Sequence, residues 1–188
     1  MQARRQDVTT TDRRDLKAIP TTFGGLRYRS RLEARYAVFF KYLRDRGLDA
    51  GELYEFQGFE VDGDAYLADF LLPGQSLIAE VKPSLDADPD GVRRWITLIE
   101  ARGKERGILL TDMHHGPLEF LLIGPDGSGG HWECDKAIWL VCPGGCHFDI
   151  YAYPPVGCER CRTTDSYWYE DERITQAFDH ARSFRFGR

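Results

Sequence analysis

"YLADFLLPGQSLIAEVKP", residues 66–83, predicts two short apolar strands joined by a turn at the Pro-Gly pair. Three charged residues interrupt these apolar runs: Asp69, Glu80 and Lys82. An unpaired charge is costly to bury, so the core side of a strand normally excludes such side chains. Either the three groups lie at a rim of the sheet and share no role, or they converge on a site.

Strand alternation decides which of these groups can meet. Successive side chains of a strand point to opposite faces, so Glu80 and Lys82 share one face and lie roughly 7 Å apart along the strand. On the preceding strand, Ala68 and Phe70 share the face opposite to Asp69. If the two strands form a hairpin, Asp69 lies across from Glu80. Two carboxylates and one ammonium group then meet at one edge of the sheet.

The chemistry of such a group points to a hard metal ion. Two neighbouring carboxylates repel each other unless a cation holds them together. Oxygen ligands select hard metals, and Mg²⁺ is bound through one or two carboxylates together with phosphate oxygens. Beside such a metal, Lys82 can orient or deprotonate a water, or stabilise charge on a phosphoryl group. These are the groups that phosphodiester hydrolysis requires.

The surrounding sequence predicts an α/β layout. Apolar residues of 28–47 recur at helical spacing, with Ser30 and Glu33 as a capping box at the start. A second helix is predicted over 86–103 and a last one over 174–188. The other apolar runs predict strands over 52–61, 107–112, 117–124 and 137–141. This order of elements predicts a mixed β-sheet flanked by helices.

One set of residues carries a family resemblance. Asp69 followed by EVK at 80–82 resembles the PD-(D/E)XK nuclease superfamily, with Ala68 where the motif's name has proline. Glu33, on the preceding helix, resembles the extra acidic residue that many members carry. The order of elements over 28–112 is similar to the common core of that superfamily, so the resemblance covers about half of the chain.

The resemblance implies a restriction-endonuclease-like core that cleaves DNA with Mg²⁺ or Mn²⁺. Asp69 and Glu80 would bind the metal, and Glu33 would complete its shell directly or through water. Lys82 would position the attacking water.

Each of these residues also has a structural explanation. Glu33 could act only as the capping partner of Ser30, and Asp69 could be a satisfied polar group of a strand. Glu80 and Lys82 could form a solvated ion pair.

Two further pairs of residues are weaker candidates. His114 and His115 could contact a phosphate, although a polar loop at the end of a strand explains them as well. Arg93 and Arg94 could contact a DNA backbone from the second helix, or they could lie on its solvated face.

A cysteine-rich stretch follows the strand over 137–141. Two tight turns with C-x3-C and C-x2-C spacing predict a zinc-ribbon-like module in which four thiolates hold one structural Zn²⁺: Cys142, Cys146, Cys158 and Cys161. His147 could replace one of these ligands, and two disulfides or free thiols are the alternatives. Cys134 lies outside the pattern and is predicted to be a core thiol.

Four segments follow from these patterns. Residues 1–24 are predicted to be a flexible basic arm and 25–136 the nuclease-like core. Residues 137–170 are predicted to be the zinc-ribbon-like module, and 171–188 to contain a C-terminal helix.

Charge and hydropathy bound the partners and the compartment. The net charge is -5, yet residues 1–35 hold nine Lys/Arg against four Asp/Glu, so the basic arm and the tail are predicted to contact DNA phosphates. No apolar run approaches the length of a membrane span, and the first 17 residues lack an apolar signal region. The chain is therefore predicted to be cytoplasmic, where cysteines serve as ligands more often than as disulfides.

The leading hypothesis is a metal-dependent DNA endonuclease with a zinc-ribbon accessory. The alternative is a noncatalytic module that binds nucleic acid or protein and keeps a nuclease-like core. A zinc-ribbon adaptor is a third hypothesis, but it leaves the first half of the chain without a role. A homodimer or a partner protein is compatible with each hypothesis.

Overall fold

The computed structural model of the chain describes residues 18–61, 63–84, 86–113, 118–128, 130–151 and 154–187. The helices within these ranges are α1 (Arg31–Arg44), α2 (Pro89–Arg102) and α3 (Glu172–Ser183). The first seven strands are β1 (Thr21–Phe23), β2 (Leu26–Tyr28), β3 (Leu53–Tyr54), β4 (Gly58–Val61), β5 (Asp64–Leu67), β6 (Phe70–Leu72) and β7 (Leu77–Val81). The later strands are β8 (Arg106–Leu110), β9 (Leu118–Pro125), β10 (His131–Val141), β11 (Phe148–Tyr151), β12 (Val156–Cys158) and β13 (Thr163–Tyr167).

A seven-stranded mixed sheet forms the centre of the molecule. Its order is β11-β10-β9-β8-β7-β6-β3. The β7 and β8 strands pair in parallel, and the other neighbours pair antiparallel. The sheet curls, so that its β11 edge comes close to the turn before β7. The backbone carbonyl of Phe148 in β11 accepts a hydrogen bond of 3.0 Å from the Gln75 side chain in that turn. The prediction of a mixed sheet flanked by helices is confirmed.

The two faces of β7 pack against different helices. Leu77, Ala79 and Val81 belong to the main core, which also contains the buried sides of α1 and α3. Ile78 belongs to a second core with Trp95 and its neighbours on α2. The predicted alternation along this strand is therefore confirmed.

Helix α1 is long, apolar on one side and capped as its sequence predicts. The Ser30 Oγ accepts a hydrogen bond of 3.1 Å from the backbone N–H of Glu33, which satisfies one of the free donors at the helix start. Tyr36, Phe39 and Phe40 are fully buried against the sheet. This packing fixes the first turn of α1 beside β6 and β7.

The opening stretch forms the predicted hairpin, with one difference. The β6 and β7 strands pair with Phe70 opposite Ala79 and Leu71 opposite Ile78, and continuing this register places Asp69 opposite Glu80. Ala68 packs in the second core, whereas Phe70 packs in the main core, so the prediction that they share a face is wrong. The chain bends between β5 and β6, and this bend interrupts the alternation.

Several predicted boundaries change. Residues 1–17 of the predicted arm lie outside the described residues, and Thr21–Phe23 pairs with Leu26–Tyr28 instead of continuing the arm. The predicted strand over 52–61 is divided into β3 and β4, because Glu55 adopts a φ of 43° and breaks the extended run. The last helix is Glu172–Ser183 rather than 174–188.

No helix within the described ranges has the length and apolar character that a membrane span needs.

The cysteine-rich module packs at the far end of α1 from Glu33. The Arg160 guanidinium pairs with Asp49, which follows α1. Arg173 of α3 donates to the backbone carbonyls of Arg46, at 3.4 Å, and of Gly145 in the module, at 3.3 Å. A 14-residue helix is about 20 Å long. The module lies at the C-terminal end of α1, and Glu33 lies in its first turn, so about this distance separates the two. The module is therefore remote from Glu33 and its surroundings.

Candidate active site and candidate metal centre

A cleft of about 380 Å³ opens between the first turn of α1, the end of β7 and the start of α2. We call it the acidic cleft, because four carboxylates and three cations line it together with five other residues: Arg29, Glu33, Ala65, Tyr66, Leu67, Asp69, Glu80, Val81, Lys82, Asp88, Gly91 and Arg94. All four residues of the predicted site, Glu33, Asp69, Glu80 and Lys82, are among them.

Asp69 lies at the base of the acidic cleft and is only 2% exposed. Its Oδ2 accepts a hydrogen bond of 2.7 Å from the backbone N–H of Val81, and its Oδ1 pairs with the Arg29 guanidinium. Burial, reinforced by the negative charges of Glu80 and Glu33, raises the pKa of Asp69 to about 8 in spite of Arg29. The repulsion that the sequence predicts between neighbouring carboxylates is therefore present at Asp69.

Both carboxylate oxygens of Glu80 have partners. The buried Tyr66 hydroxyl donates to Oε2 at 2.6 Å, and Lys82 Nζ lies 2.9 Å from Oε1. Burial, together with the neighbouring Glu80 carboxylate, raises the pKa of the Tyr66 hydroxyl, so this group stays a donor. Glu80 is consequently held in one orientation by two strong hydrogen bonds.

Lys82 bridges Glu80 and a carboxylate that the sequence analysis missed. Its Nζ lies 2.9 Å from Asp88 Oδ2, and Asp88 caps α2 by accepting from the Gly91 N–H at 3.0 Å. Burial opposes the ammonium charge, but Glu80 and Asp88 outweigh burial and raise the pKa of Lys82. Lys82 is therefore an ammonium group at neutral pH.

Gly91 leaves the room that this cap occupies. A Cβ at Gly91 would lie 2.1 Å from Asp88 Oδ2, the same oxygen that Lys82 binds. Any side chain there would displace the Asp88 carboxylate, and the cap thereby links the start of α2 to Lys82.

Glu33 combines a structural role with a place in the acidic cleft. Its backbone N–H takes part in the Ser30 cap, while its Oε2 accepts from the Arg29 N–H at 3.1 Å and from the Tyr54 hydroxyl at 2.6 Å. The side chain therefore reaches the residue before the cap, rather than the Ser30 N–H that a capping box would use. Glu33 is buried at the rim of the cleft beside Arg29.

Arg29 is the cation that joins these carboxylates. Its guanidinium contacts Asp69 and lies 2.9 Å from Glu55 and 3.9 Å from Glu33. Burial works against the charge, but Asp69, Glu33 and Glu55 together raise the pKa of Arg29. The side chain is 52% exposed, so solvent weakens each of these pairs.

The carboxylates of the acidic cleft suit a hard cation in type, but they are spread out. The described residues contain one group of three or more His, Cys, Asp or Glu ligand atoms all within 4.8 Å of one another, and it is the cysteine cluster below. Glu33, Asp69 and Glu80 do not form such a group. Because Mg²⁺ needs only one or two protein carboxylates and takes its other ligands from water and phosphate, Asp69 with Glu80 still fits it as a donor pair.

The pKa of Asp69 gives a testable pH dependence of the metal-free protein. A carboxyl whose pKa is raised from 3.8 to about 8 stabilises the fold fully below pH 3.8, and this stabilisation is lost as pH rises to about 8. Asp69→Asn keeps an uncharged side chain at every pH. We measure the melting temperatures of the wild type and of Asp69→Asn in EDTA. We expect the wild-type value minus the Asp69→Asn value to decrease as the pH rises from 5 to 8.5.

Asp45→Asn is the matched control for this measurement. Asp45 is an exposed carboxylate whose pKa is lowered by its hydrogen bond to Lys41, so it is ionised throughout this pH range. A difference between wild type and Asp69→Asn that stays constant with pH would contradict the raised pKa.

A second constellation lies in the cysteine-rich module. The ligand atoms of Cys142, His147, Cys158 and Cys161 all lie within 4.8 Å of one another, and the first three residues are buried. These groups could hold a metal ion. Cys142 and Cys158 pack with Leu140 and Trp168 in a small core of their own, and the His147 ring contacts the Trp168 ring edge-on at 5.0 Å.

The protonation of Cys142 and His147 suits metal binding, whereas hydrogen bonds with the Cys146 and Cys142 thiols raise the pKa of Cys161. Burial opposes ionisation of Cys142, but hydrogen bonds from the backbone of His147 and Cys146 and from neighbouring thiols lower its pKa to about 7. Burial lowers the pKa of His147 and keeps the ring neutral. Thiolate and neutral imidazole are the forms that bind metals.

Two residues are candidates for the fourth ligand. Cys146 is exposed and lies outside the set of four, although its Sγ is 2.8 Å from Cys161 Sγ and 3.6 Å from Cys142 Sγ. Two thiolates on a tetrahedral zinc ion are about 3.8 Å apart. The Cys142–Cys146 distance of 3.6 Å and the Cys142–Cys161 distance of 3.3 Å are near that spacing, whereas Cys146 and Cys161 are closer together. His147, which the sequence offered only as a substitute ligand, belongs to the set of four whose ligand atoms lie within 4.8 Å of one another, and Cys146 does not.

The remaining sequence candidates lie elsewhere. Cys134 is half-buried against the main core, as predicted for a core thiol. Arg94 lines the acidic cleft, whereas the Arg93 side chain is 77% exposed and faces Asp90 at 3.5 Å. His114 and His115 lie outside the described residues.

The residues missed by sequence reasoning are those that hold the predicted ones in place: Arg29, Tyr54, Tyr66 and Asp88. Asp88 had a local signal, because Asp-Pro before a helical run is typical of an N-cap followed by proline. Tyr66 and Tyr54 had none, because an aromatic residue in a strand is more often explained by packing.

Comparison with known proteins adds no assignment. No protein-family model matches the sequence, and no curated protein sequence matches it.

Proposed function

We propose that this protein is a Mg²⁺- or Mn²⁺-dependent endonuclease that hydrolyses phosphodiester bonds of DNA in the acidic cleft. The observation that carries the proposal is the meeting of Asp69, Glu80 and Lys82 at the end of one hairpin. Asp69 and Glu80 are buried without enough positive charge nearby to keep the pKa of Asp69 low. A divalent cation would relieve that repulsion.

In this proposal Asp69 and Glu80 hold the metal, and Glu33 completes its shell directly or through water. The bound Mg²⁺ would act as a Lewis acid on a phosphoryl oxygen and on a water ligand. Tyr66 fixes the Glu80 carboxylate through the hydrogen bond at 2.6 Å. Arg29 has to leave Asp69 Oδ1 free when a metal takes that oxygen.

Lys82 acts on the attacking water and on the phosphoryl charge. Because its pKa is raised, the ammonium form dominates, which favours orienting the water and stabilising negative charge over removing a proton. Asp88 positions the ammonium group from the side of α2, and Glu80 positions it from β7. Two anchors leave Nζ little freedom, and this supports a preorganised electrostatic role.

The second candidate is a noncatalytic module that binds nucleic acid or protein. The contact between Arg29 and Asp69 favours it, because an arginine that already neutralises a buried carboxylate can be a purely structural partner. Under this alternative the protein could bind DNA but would not cleave it.

Incubation with linear, supercoiled, single-stranded and branched DNA separates the two candidates. Parallel reactions contain Mg²⁺, Mn²⁺ or EDTA, and products are resolved on denaturing gels. The nuclease proposal expects metal-dependent cleavage of at least one of these DNA forms. Binding without cleavage of any of them, in either metal, would favour the noncatalytic module.

We further propose that the cysteine-rich module holds one structural Zn²⁺ through Cys142, His147, Cys158 and Cys161. A closed shell of four protein ligands leaves no position for a substrate, so the ion would stabilise the fold and take no part in catalysis.

A further inference from the structure

Two of the three cations in the acidic cleft are already neutralised. Arg29 contacts Asp69, Glu55 and Glu33, and Lys82 contacts Glu80 and Asp88. A guanidinium or an ammonium group that is held between carboxylates attracts a distant polyanion only weakly, because its charge is balanced locally, although it still acts on charge that develops in contact with it. These two side chains therefore do not explain how a polyanion would enter a cleft that contains four carboxylates.

Arg94 differs from both. It lines the same cleft from α2, one turn after Gly91, so these two residues share the face of the helix that borders the cleft. Among the residues that the structure describes, Arg94 has no hydrogen-bond or ion-pair partner, and its Nε is buried without an acceptor. Buried polar groups normally have a hydrogen-bond partner. The unsatisfied Nε of Arg94, beside an open cleft, therefore indicates a place for an acceptor on a ligand.

We propose that Arg94 binds a phosphate of the DNA strand next to the phosphodiester that is cleaved, and that the strand therefore passes along the α2 side of the cleft. The proposal rests on the proposed function and names the group that holds its substrate. Guanidinium groups bind phosphate oxygens in pairs through parallel N–H donors. Asp88 is the carboxylate that interacts electrostatically with Arg94, and it is already bound by Lys82, so the donors of Arg94 are left for a phosphate. Phosphate is the anion that a nuclease substrate brings to this place.

The adjacent Arg93 is a matched control. It has the same charge on the same helix, but its side chain is 77% exposed and faces Asp90 at the surface. Arg93→Gln and Arg94→Gln change the net charge of the protein equally. A difference between them therefore reports on position, whereas equal effects report on charge alone.

The test measures binding of a fluorescein-labelled 20-base-pair DNA duplex by anisotropy in EDTA, between 50 and 200 mM KCl, with cleavage kinetics in Mg²⁺ measured separately. The slope of log K against log[salt] is negative, and loss of one phosphate contact makes it shallower by about 0.9. We expect this loss for Arg94→Gln, together with about tenfold weaker binding, a raised KM and a nearly unchanged kcat. Arg93→Gln should match the wild type in slope and in KM, and Arg94→Lys should keep the wild-type slope because it keeps the charge.

The outcomes separate this inference from the proposed function. Equal behaviour of Arg94→Gln and Arg93→Gln in a protein that cleaves DNA overturns the role of Arg94 and leaves the nuclease proposal standing. A selective loss of slope in Arg94→Gln supports the phosphate contact even if the protein never cleaves DNA. A wild-type protein that neither binds nor cleaves DNA overturns both. Because Arg94 has no described partner to lose, the variant should melt within a few degrees of the wild type, which a thermal scan checks.

Discussion

Lys82→Met is expected to reduce Mg²⁺-dependent DNA cleavage by about 10²–10³-fold or more, because it removes the one ammonium group that lies in the cleft beside Glu80. Methionine keeps the length of the side chain and fills a similar volume, so the packing around β7 is little changed. The measurement is single-turnover cleavage of a radiolabelled or fluorescent DNA substrate at saturating Mg²⁺.

The substitution also has a cost in stability. The Lys82 side chain is 18% exposed and holds two carboxylates, so Lys82→Met leaves Glu80 and Asp88 without their shared partner. Breaking a buried pair by removing one partner is strongly destabilising, and a partly exposed pair less so. Cleavage should therefore be measured well below the melting temperature of the variant.

Two companion variants make the result specific. Lys41→Met removes a surface ammonium group that pairs with Asp45, and it should cleave DNA like the wild type. Glu80→Gln keeps an acceptor for the Tyr66 hydroxyl while it removes the charge, and it should be as inactive as Lys82→Met. Folded Glu80→Gln or Lys82→Met protein with wild-type turnover would refute the assignment of the acidic cleft as an active site.

Loss of the metal from the cysteine-rich module is expected to have the largest effect on stability. Cys158→Ser or His147→Ala should release about one Zn²⁺ per chain and unfold the module, since binding of a structural zinc ion supplies on the order of 10 kcal/mol to folding. The ordered region of the module is small, with a core around Leu140, Cys142, Cys158 and Trp168, so it has little apolar burial to replace the metal. Zinc content by elemental analysis and near-UV circular dichroism measure the two effects.

Cys146→Ser distinguishes the two candidate ligand sets. If His147 is the fourth ligand, as the geometry favours, Cys146→Ser should keep its zinc and its melting temperature. If Cys146→Ser loses zinc and His147→Ala retains it, the four-cysteine set predicted from the sequence is correct instead. Freshly purified, reduced wild-type protein without zinc would contradict both sets.

The module and the acidic cleft should respond independently to these changes. About 20 Å of α1 separates the cysteine-rich module from Glu33. The module joins the core through β10 and β11 of the central sheet and through Asp49, and none of these contacts involves a residue that lines the cleft. If both proposed metals bind, they should be removable separately, because a mild chelator that takes Mg²⁺ need not reach a closed, partly buried zinc site.

The sequence by itself determined the central hairpin and its chemistry. The period of two along residues 77–82 places Glu80 and Lys82 on one face of β7, and hairpin pairing places Asp69 opposite Glu80. Helix α1 and its Ser30 cap also follow from local spacing. These features were predictable because each depends on residues that are close in sequence or joined by a short turn.

Only the tertiary structure decided the partners of those residues. Arg29 reaches Asp69 across 40 positions, and Tyr54 reaches Glu33 across 21, because β3 and β6 of the central sheet lie beside the start of α1, which follows Arg29. Which of His147 and Cys146 lies with the other three ligand atoms depends on the direction in which a knuckle turns its side chains, and spacing alone leaves that open. Likewise, Arg93 and Arg94 are equivalent in the sequence, and the packing of Trp95 and Leu98 against the sheet turns one into solvent and the other into the cleft. Spacing fixes which residues can share a face, but contacts between distant segments depend on how the whole chain packs. These long-range contacts supply the charged partners of the site residues and fix the orientation of their side chains.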